Sequence, residues 1–66
     1  MTIEINGTPR ELTTETTLAD LLAELNLDAR HLVIELNRQI ITRQQHADTR
    51  LQDGDQLELV HFVGGG

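Results

Sequence analysis

The fold of this chain is decided by one stretch, residues 17–26, which reads TLADLLAELN. Four leucines in it share the i, i+3, i+4, i+7 spacing that places side chains on one stripe of an α-helix: Leu18, Leu21, Leu22 and Leu25. Thr17 can cap the amino-terminal end by accepting a backbone N–H, and Asn26 can adopt the left-handed conformation that ends helices. The stretch therefore predicts a short amphipathic helix, whose apolar stripe must pack on the segments before and after it.

The segment before the helix predicts a β-hairpin. Residues 2–5 alternate polar and apolar side chains, and Asn6-Gly7 follows, a pair in which both residues tolerate positive φ. The returning strand is expected at residues 8–13. Because Pro9 has no N–H to donate, this strand should lie at an edge of the sheet.

Three further strands are predicted after the helix, at residues 32–36, 40–41 and 56–63. The polar residues 42–49 are expected to form a loop or a single helical turn. Gly54 supplies the unusual backbone angle of a tight turn just before the last strand. The order β-β-α-β-β-β predicts an α+β domain, in which a mixed sheet is covered on one face by the helix.

Length and charge exclude several classes of protein. The 66 residues allow one small domain, residues 1–66, and eleven acidic residues against five arginines give a net charge of −6. This charge repels nucleic acids and anionic membranes, so neither is an expected partner.

No stretch approaches the roughly 20 apolar residues of a membrane span, and no signal peptide is recognisable, so a cytoplasmic protein is expected. The chain has no serine or cysteine nucleophile and no glycine-rich loop before a helix, so we expect that it is not an enzyme.

The histidines do not predict a metal site. His31, His46 and His61 lie 15 residues apart on three different predicted elements, without the close spacing of a metal-binding helix. His61 falls on the inward face of the last strand and is interpreted as a histidine buried at the edge of the core.

Two groups of acidic residues are interpreted as structural. Asp20, Glu24 and Asp28 follow at i, i+4 and i+8 and predict one solvated line along the helix, with contact to a basic partner as the alternative. Asp53 and Asp55 flank a glycine in a segment far shorter than a calcium loop, so a turn is expected there.

The last strand and the residues after it carry the candidate functional site. Alternation places Leu57, Leu59, His61 and Val63 on the core face, and it places Val60 and Phe62 on the solvent face. An exposed valine and phenylalanine beside a terminal strand indicate a protein-binding surface, with ordinary scattered apolar residues on the surface as the alternative. Gly64, Gly65 and Gly66 follow as a flexible tail of about 10 Å, whose lack of side chains lets it enter a narrow channel.

The ending resembles a known family. The segment GDQL at residues 54–57, a hydrophobic strand and the segment HFVGGG at residues 61–66 are similar to the bacterial sulfur carrier proteins of thiamine biosynthesis, which are ubiquitin-like. The resemblance implies a β-grasp fold, in which the last strand lies beside the first. Members of the family end in Gly-Gly, and Gly64 is a third glycine in this chain.

The resemblance also implies a chemistry. A partner adenylyltransferase of the ubiquitin-activating type would consume ATP to adenylate the carboxylate of Gly66, and the carrier itself would bind no cofactor. Sulfur relayed from a cysteine desulfurase would convert the adenylate to a thiocarboxylate, which thiazole synthase would use. Gly65 and Gly64 would form the tail, Val60 and Phe62 would dock the partners, and the free carrier would be a monomer.

Three alternatives to this function stay open at the level of sequence. Within the same fold, the small subunit of molybdopterin synthase also carries a terminal thiocarboxylate, and ubiquitin-like modifiers form amides through their last glycine. The third alternative is a β-grasp binding module with an inert tail.

Overall fold

The structure is a computed structural model of the chain, and it describes residues 1–13 and 15–62. Thr14 and residues 63–66 lie outside the described residues, so the predicted tail, Gly64, Gly65 and Gly66, and the predicted facing of Val63 stay predictions. The strands are β1 (Thr2–Ile5), β2 (Thr8–Glu11), β3 (Leu32–Leu36), β4 (Gln39–Ile41) and β5 (Gln56–His61). The α-helix, α1, spans Leu18–Glu24, and two 3₁₀ helices span Ala29–His31 and Arg43–Asp48.

The predicted hairpin is confirmed. Asn6 and Gly7 have φ angles of 51° and 81°, and β1 pairs antiparallel with β2 from Ile5 opposite Thr8 onward. Strand β2 ends at Glu11, before the predicted end at residue 13. It forms an edge of the sheet, as the missing N–H of Pro9 predicts.

The predicted helix is also confirmed, together with both of its ends. The Thr17 side chain accepts a hydrogen bond of 3.1 Å from the backbone N–H of Asp20, and Asn26 has a φ of 59°. The helix buries Leu18, Leu21 and Leu22. These caps and this stripe orient a helix of only two turns, which is too short to be stable in isolation.

The sheet has the predicted β-grasp arrangement. Among the described residues, the five strands form one mixed sheet in the order β2-β1-β5-β3-β4. Strands β1 and β5 are parallel, with Ile5 opposite Leu57, and the other neighbours are antiparallel. The last strand is therefore the central strand.

The core lies between the sheet and α1. Among residues 1–13 and 15–62, nine apolar side chains are buried in it: Ile3, Leu12, Leu18, Leu21, Leu22, Leu32, Ile34, Leu51 and Leu57. The helical turn considered for residues 42–49 is a 3₁₀ helix that buries His46, which is 5% exposed. The expectation that His61 is the buried histidine is wrong, because His61 lies on the last residue of β5 and is exposed.

Candidate functional site

Strand β5 separates a core face from a solvent face as predicted. Leu57 is 1% exposed and Leu59 is half-buried, whereas Val60 is 53% and Phe62 is 44% exposed. The predicted exposure of Val60 and Phe62 is thus confirmed, and their role in docking stays a prediction. Val60 of β5 and Phe62, the residue that follows the strand, are two exposed apolar side chains that make this face the candidate docking surface.

Two further apolar side chains extend this surface, and neither was predicted from the sequence. Val33 of β3 lies directly opposite Val60 and is 40% exposed. Ile40 of β4 is 65% exposed and lies opposite Glu35 of β3. Glu35 is two residues from Val33 and so points to the same face. Because side chains alternate between faces, these residues share the solvent face of the sheet. We name the four residues the outer patch: Val33, Ile40, Val60 and Phe62.

The strand that carries the patch is held from both sides. On one side it pairs with β3, and beyond its last residue the N–H of Phe62 donates a hydrogen bond of 3.1 Å to the carbonyl of His31. On the other side β1 has ended, and the side chain of Asn6 replaces it. Its Oδ1 accepts a bond of 2.8 Å from the Leu59 N–H, and its Nδ2 donates a bond of 3.2 Å to the Leu59 carbonyl. The backbone that leads to the tail is therefore fixed up to Phe62.

The predicted solvated line of acidic residues is only partly right: Asp20, Glu24 and Asp28 are all exposed, but Asp28 does not lie on the helix. Because α1 ends at Glu24, Asp28 lies beyond it and caps the 3₁₀ helix Ala29–His31. Its carboxylate accepts bonds from the side chain and the backbone N–H of Arg30, and these bonds hold the pKa of Asp28 well below its usual range. The same pair raises the pKa of Arg30. Glu24 lies 3.4 Å from Arg10 in an exposed ion pair.

The turn before β5 has the structural role that the sequence predicts. Asp53 Oδ1 accepts a bond of 2.7 Å from the N–H of Thr2, and Asp55 Oδ2 accepts one of 2.7 Å from the N–H of Gln52. Gly54 has a φ of 87°. Both carboxylates thus stabilise the entry into β5.

The described residues contain no group of three or more histidine, aspartate or glutamate side chains that could hold a metal ion. Over residues 1–13 and 15–62, no helix is long and apolar enough to cross a membrane.

Comparison with known proteins identifies the family. The model of the ThiS family matches residues 3–66. The sulfur carrier protein ThiS of Bacillus subtilis is 37% identical over 65 residues, which cover 97% of this chain and 98% of that protein. The crystal structure of the thiamine biosynthesis protein ThiS of Geobacter metallireducens matches with a TM-score of 0.86 at 30% identity and covers 100% of both chains.

Some relatives are much longer than this chain. A thiazole synthase of Paramagnetospirillum magneticum is 39% identical over 66 residues, which cover 100% of this chain and 20% of that protein. A thiazole synthase of Magnetococcus marinus is 38% identical with the same coverage, so the chain spans 20% of the length of these two relatives.

The family match over residues 3–66 and the agreement in fold lead to one conclusion: this chain belongs to the ThiS family.

Proposed function

We propose that the chain is a sulfur carrier of thiamine biosynthesis and that Gly66 carries the sulfur as a terminal thiocarboxylate. The observation that supports this most directly is the family match, which extends through Gly66. Two relatives of nearly the same length, from Bacillus subtilis and Escherichia coli, are named as sulfur carrier proteins. On this proposal the chain is a substrate of other enzymes and not itself an enzyme.

The proposed reaction has three steps. The Gly66 carboxylate attacks the α-phosphate of ATP in a partner adenylyltransferase, which forms an acyl-adenylate and releases pyrophosphate. A persulfide supplied through a cysteine desulfurase attacks the acyl carbon and releases AMP. A second thiol then cleaves the sulfur–sulfur bond, which leaves the thiocarboxylate on Gly66 and a disulfide on the donor. Adenylation is needed because a free carboxylate has no good leaving group, whereas AMP is one. We propose that this reaction takes place in the cytoplasm.

The geometry of β5 suits this function. The chain is hydrogen-bonded up to Phe62, and four residues follow it to Gly66. Four residues span at most about 14 Å. In a partner that binds the outer patch, the site that receives the carboxyl group of Gly66 must therefore lie within about 14 Å of Phe62.

Thiazole synthase is the proposed acceptor of the sulfur. In the two thiazole synthases that match, a segment similar to this whole chain lies within a polypeptide five times as long. A carrier segment joined to a synthase in one chain is favoured where the two act on one another, because the linker raises their effective concentration.

Deletion of Gly66 tests the proposal. We expect ATP–pyrophosphate exchange by the cognate adenylyltransferase to be lost, while the circular dichroism spectrum is unchanged. The substitution Asp48→Ala, at an exposed residue of the second 3₁₀ helix, is the control and should retain exchange. Exchange that persists without Gly66 would overturn the assignment.

Substitution of Phe62 tests the docking surface. If the ring is an anchor, Phe62→Ala should weaken binding to the adenylyltransferase by about 1–3 kcal/mol, since a buried aromatic side chain contributes strongly at an interface. Gln44→Ala, at an exposed residue of the second 3₁₀ helix, is the control. Isothermal titration calorimetry measures both, and an unchanged dissociation constant for Phe62→Ala would remove this residue from the site.

The rival functions differ in the product on Gly66. A sulfur carrier isolated from cells should show the mass change of one oxygen replaced by one sulfur, whereas a modifier should be found as an amide. A binding module with an inert tail should tolerate residues appended after Gly66. The match to the ThiS family favours the thiamine system over molybdopterin synthase.

A further inference from the structure

The solvent face of the sheet carries two glutamates in direct opposition. Glu35 of β3 is the cross-strand partner of Glu58 of β5. Side chains at such positions have Cβ atoms about 5 Å apart. Glu35 is half-buried and Glu58 is exposed, and across residues 1–13 and 15–62 neither carboxylate takes part in an ion pair.

Among the described residues, no arginine forms an ion pair with Glu35 or Glu58. Three of the five arginines have acidic partners away from this face: Arg10 with Glu24, Arg30 with Asp28, and Arg50 with Glu15. Like charges directly opposite on neighbouring strands destabilise a sheet. We therefore expect the pairing of Glu35 with Glu58 to be unfavourable in the free domain.

The two carboxylates adjoin the outer patch. The next pair on the same face of these two strands is Val33 opposite Val60, and Ile40 lies opposite Glu35 on the other side. The face thus presents an apolar surface with a concentrated negative charge beside it. Its complement is a protein surface with apolar side chains and a cation that reaches both carboxylates.

We propose that the outer patch docks the adenylyltransferase through an apolar surface on that enzyme and that an arginine of the enzyme binds between Glu35 and Glu58. This inference rests on the proposed function, because it takes the adenylyltransferase as the partner. Arginine fits better than lysine, since its planar guanidinium can donate to two carboxylates at once. A second copy of this chain does not fit, because it would bring the same two carboxylates to the interface.

The double variant Glu35→Gln/Glu58→Gln tests the inference, since it keeps the size of both side chains and removes their charge. Two effects of opposite sign are expected. The free variant should unfold at the same or a higher urea concentration than the parent chain, because the repulsion is gone. Its affinity for the purified adenylyltransferase should fall about 10- to 100-fold in low salt, because the partner's cation loses its counter-charges. This difference should shrink at high ionic strength.

A matched control separates local contact from overall charge. Glu11→Gln/Asp48→Asn removes the same two charges at the edge strand β2 and at the second 3₁₀ helix, both remote from the outer patch. We expect it to change affinity less than threefold. An equal loss of affinity in both double variants would overturn the inference, because only the net charge would then matter.

The same titrations distinguish this inference from the proposed function. Binding is measured with the full chain and with the chain lacking Gly66, which should dock equally well but should not be adenylated. If the parent chain binds and is not adenylated, the proposed function fails, and the affinities of the variants still decide the inference. If Glu35→Gln/Glu58→Gln binds as tightly as the parent chain, the inference fails and the proposed function stands. If the parent chain does not bind the adenylyltransferase, both fail.

Discussion

At the scale of single residues, Asn6 has two roles that one substitution can separate. Its backbone has a φ of 51° in the hairpin turn, and its side chain binds both the N–H and the carbonyl of Leu59. Asn6→Gly keeps the positive φ accessible and removes the side chain. We expect the free energy of unfolding to fall by about 1–3 kcal/mol, because two backbone groups lose their partners. Urea denaturation measures this change.

Asn26 provides the matched control for that experiment. It also has a positive φ, of 59°, and none of the hydrogen bonds found among the described residues involves its side chain. Asn26→Gly should therefore change the stability by only a few tenths of a kcal/mol, as is usual when glycine replaces asparagine at a helix end. Equal losses for the two substitutions would show that the backbone angle, and not the bonds to Leu59, explains the effect at Asn6.

The histidines show that burial does not follow from the alternation of side chains along one strand. His61 satisfies the alternation of β5, but the end of a strand has few neighbours to cover it, and the side chain stays exposed. His46 lies in a polar stretch without periodicity, yet the 3₁₀ helix Arg43–Asp48 packs against α1 and buries it. Burial at these positions depends on contacts between distant segments, which alternation along one strand does not contain.

At the scale of elements, the predictions that held depend on local chemistry. The Asn6-Gly7 turn, the cap at Thr17 and the leucine stripe of α1 are each determined by residues within one or two turns of chain. The ends of strands were less predictable, because they depend on a partner. The alternation along the last strand continues to residue 63, but β5 ends at His61. His61 pairs with Leu32, the first residue of β3, so the partner strand begins there.

The outer patch was only half predictable for the same reason. Alternation along β5 identifies Val60 and Phe62 without any knowledge of the fold. Val33 joins them because β3 pairs with β5 in a register that places it opposite Val60, and these two residues lie far apart in sequence. The same register brings Glu35 opposite Glu58. Register depends on both strands of a pair. The family resemblance implied the strand order, but it did not predict that Val33 lies opposite Val60 or that Glu35 lies opposite Glu58.

At the scale of the whole molecule, the core and the proposed docking surface lie on opposite faces of one central strand. Leu57 of β5 is 1% exposed and lies beside both β1 and β3, whereas Val60 of the same strand is 53% exposed. A domain of this size buries little surface and has only a small margin of stability. The position of β5 at the centre therefore keeps the proposed docking residues ordered without making the core depend on them.

A pair of substitutions in β5 tests this division. Leu57→Ala should lower the free energy of unfolding by about 2–5 kcal/mol, because it leaves a cavity in the core. Val60→Thr keeps a β-branched side chain on the strand and should change the stability by less than about 0.5 kcal/mol. Binding to the adenylyltransferase should show the reverse order under conditions where both variants are folded: weakened by Val60→Thr and nearly unchanged by Leu57→Ala. Urea denaturation and calorimetric titration measure the two quantities, and a Val60→Thr variant that loses stability and binding together would contradict the separation of the two faces.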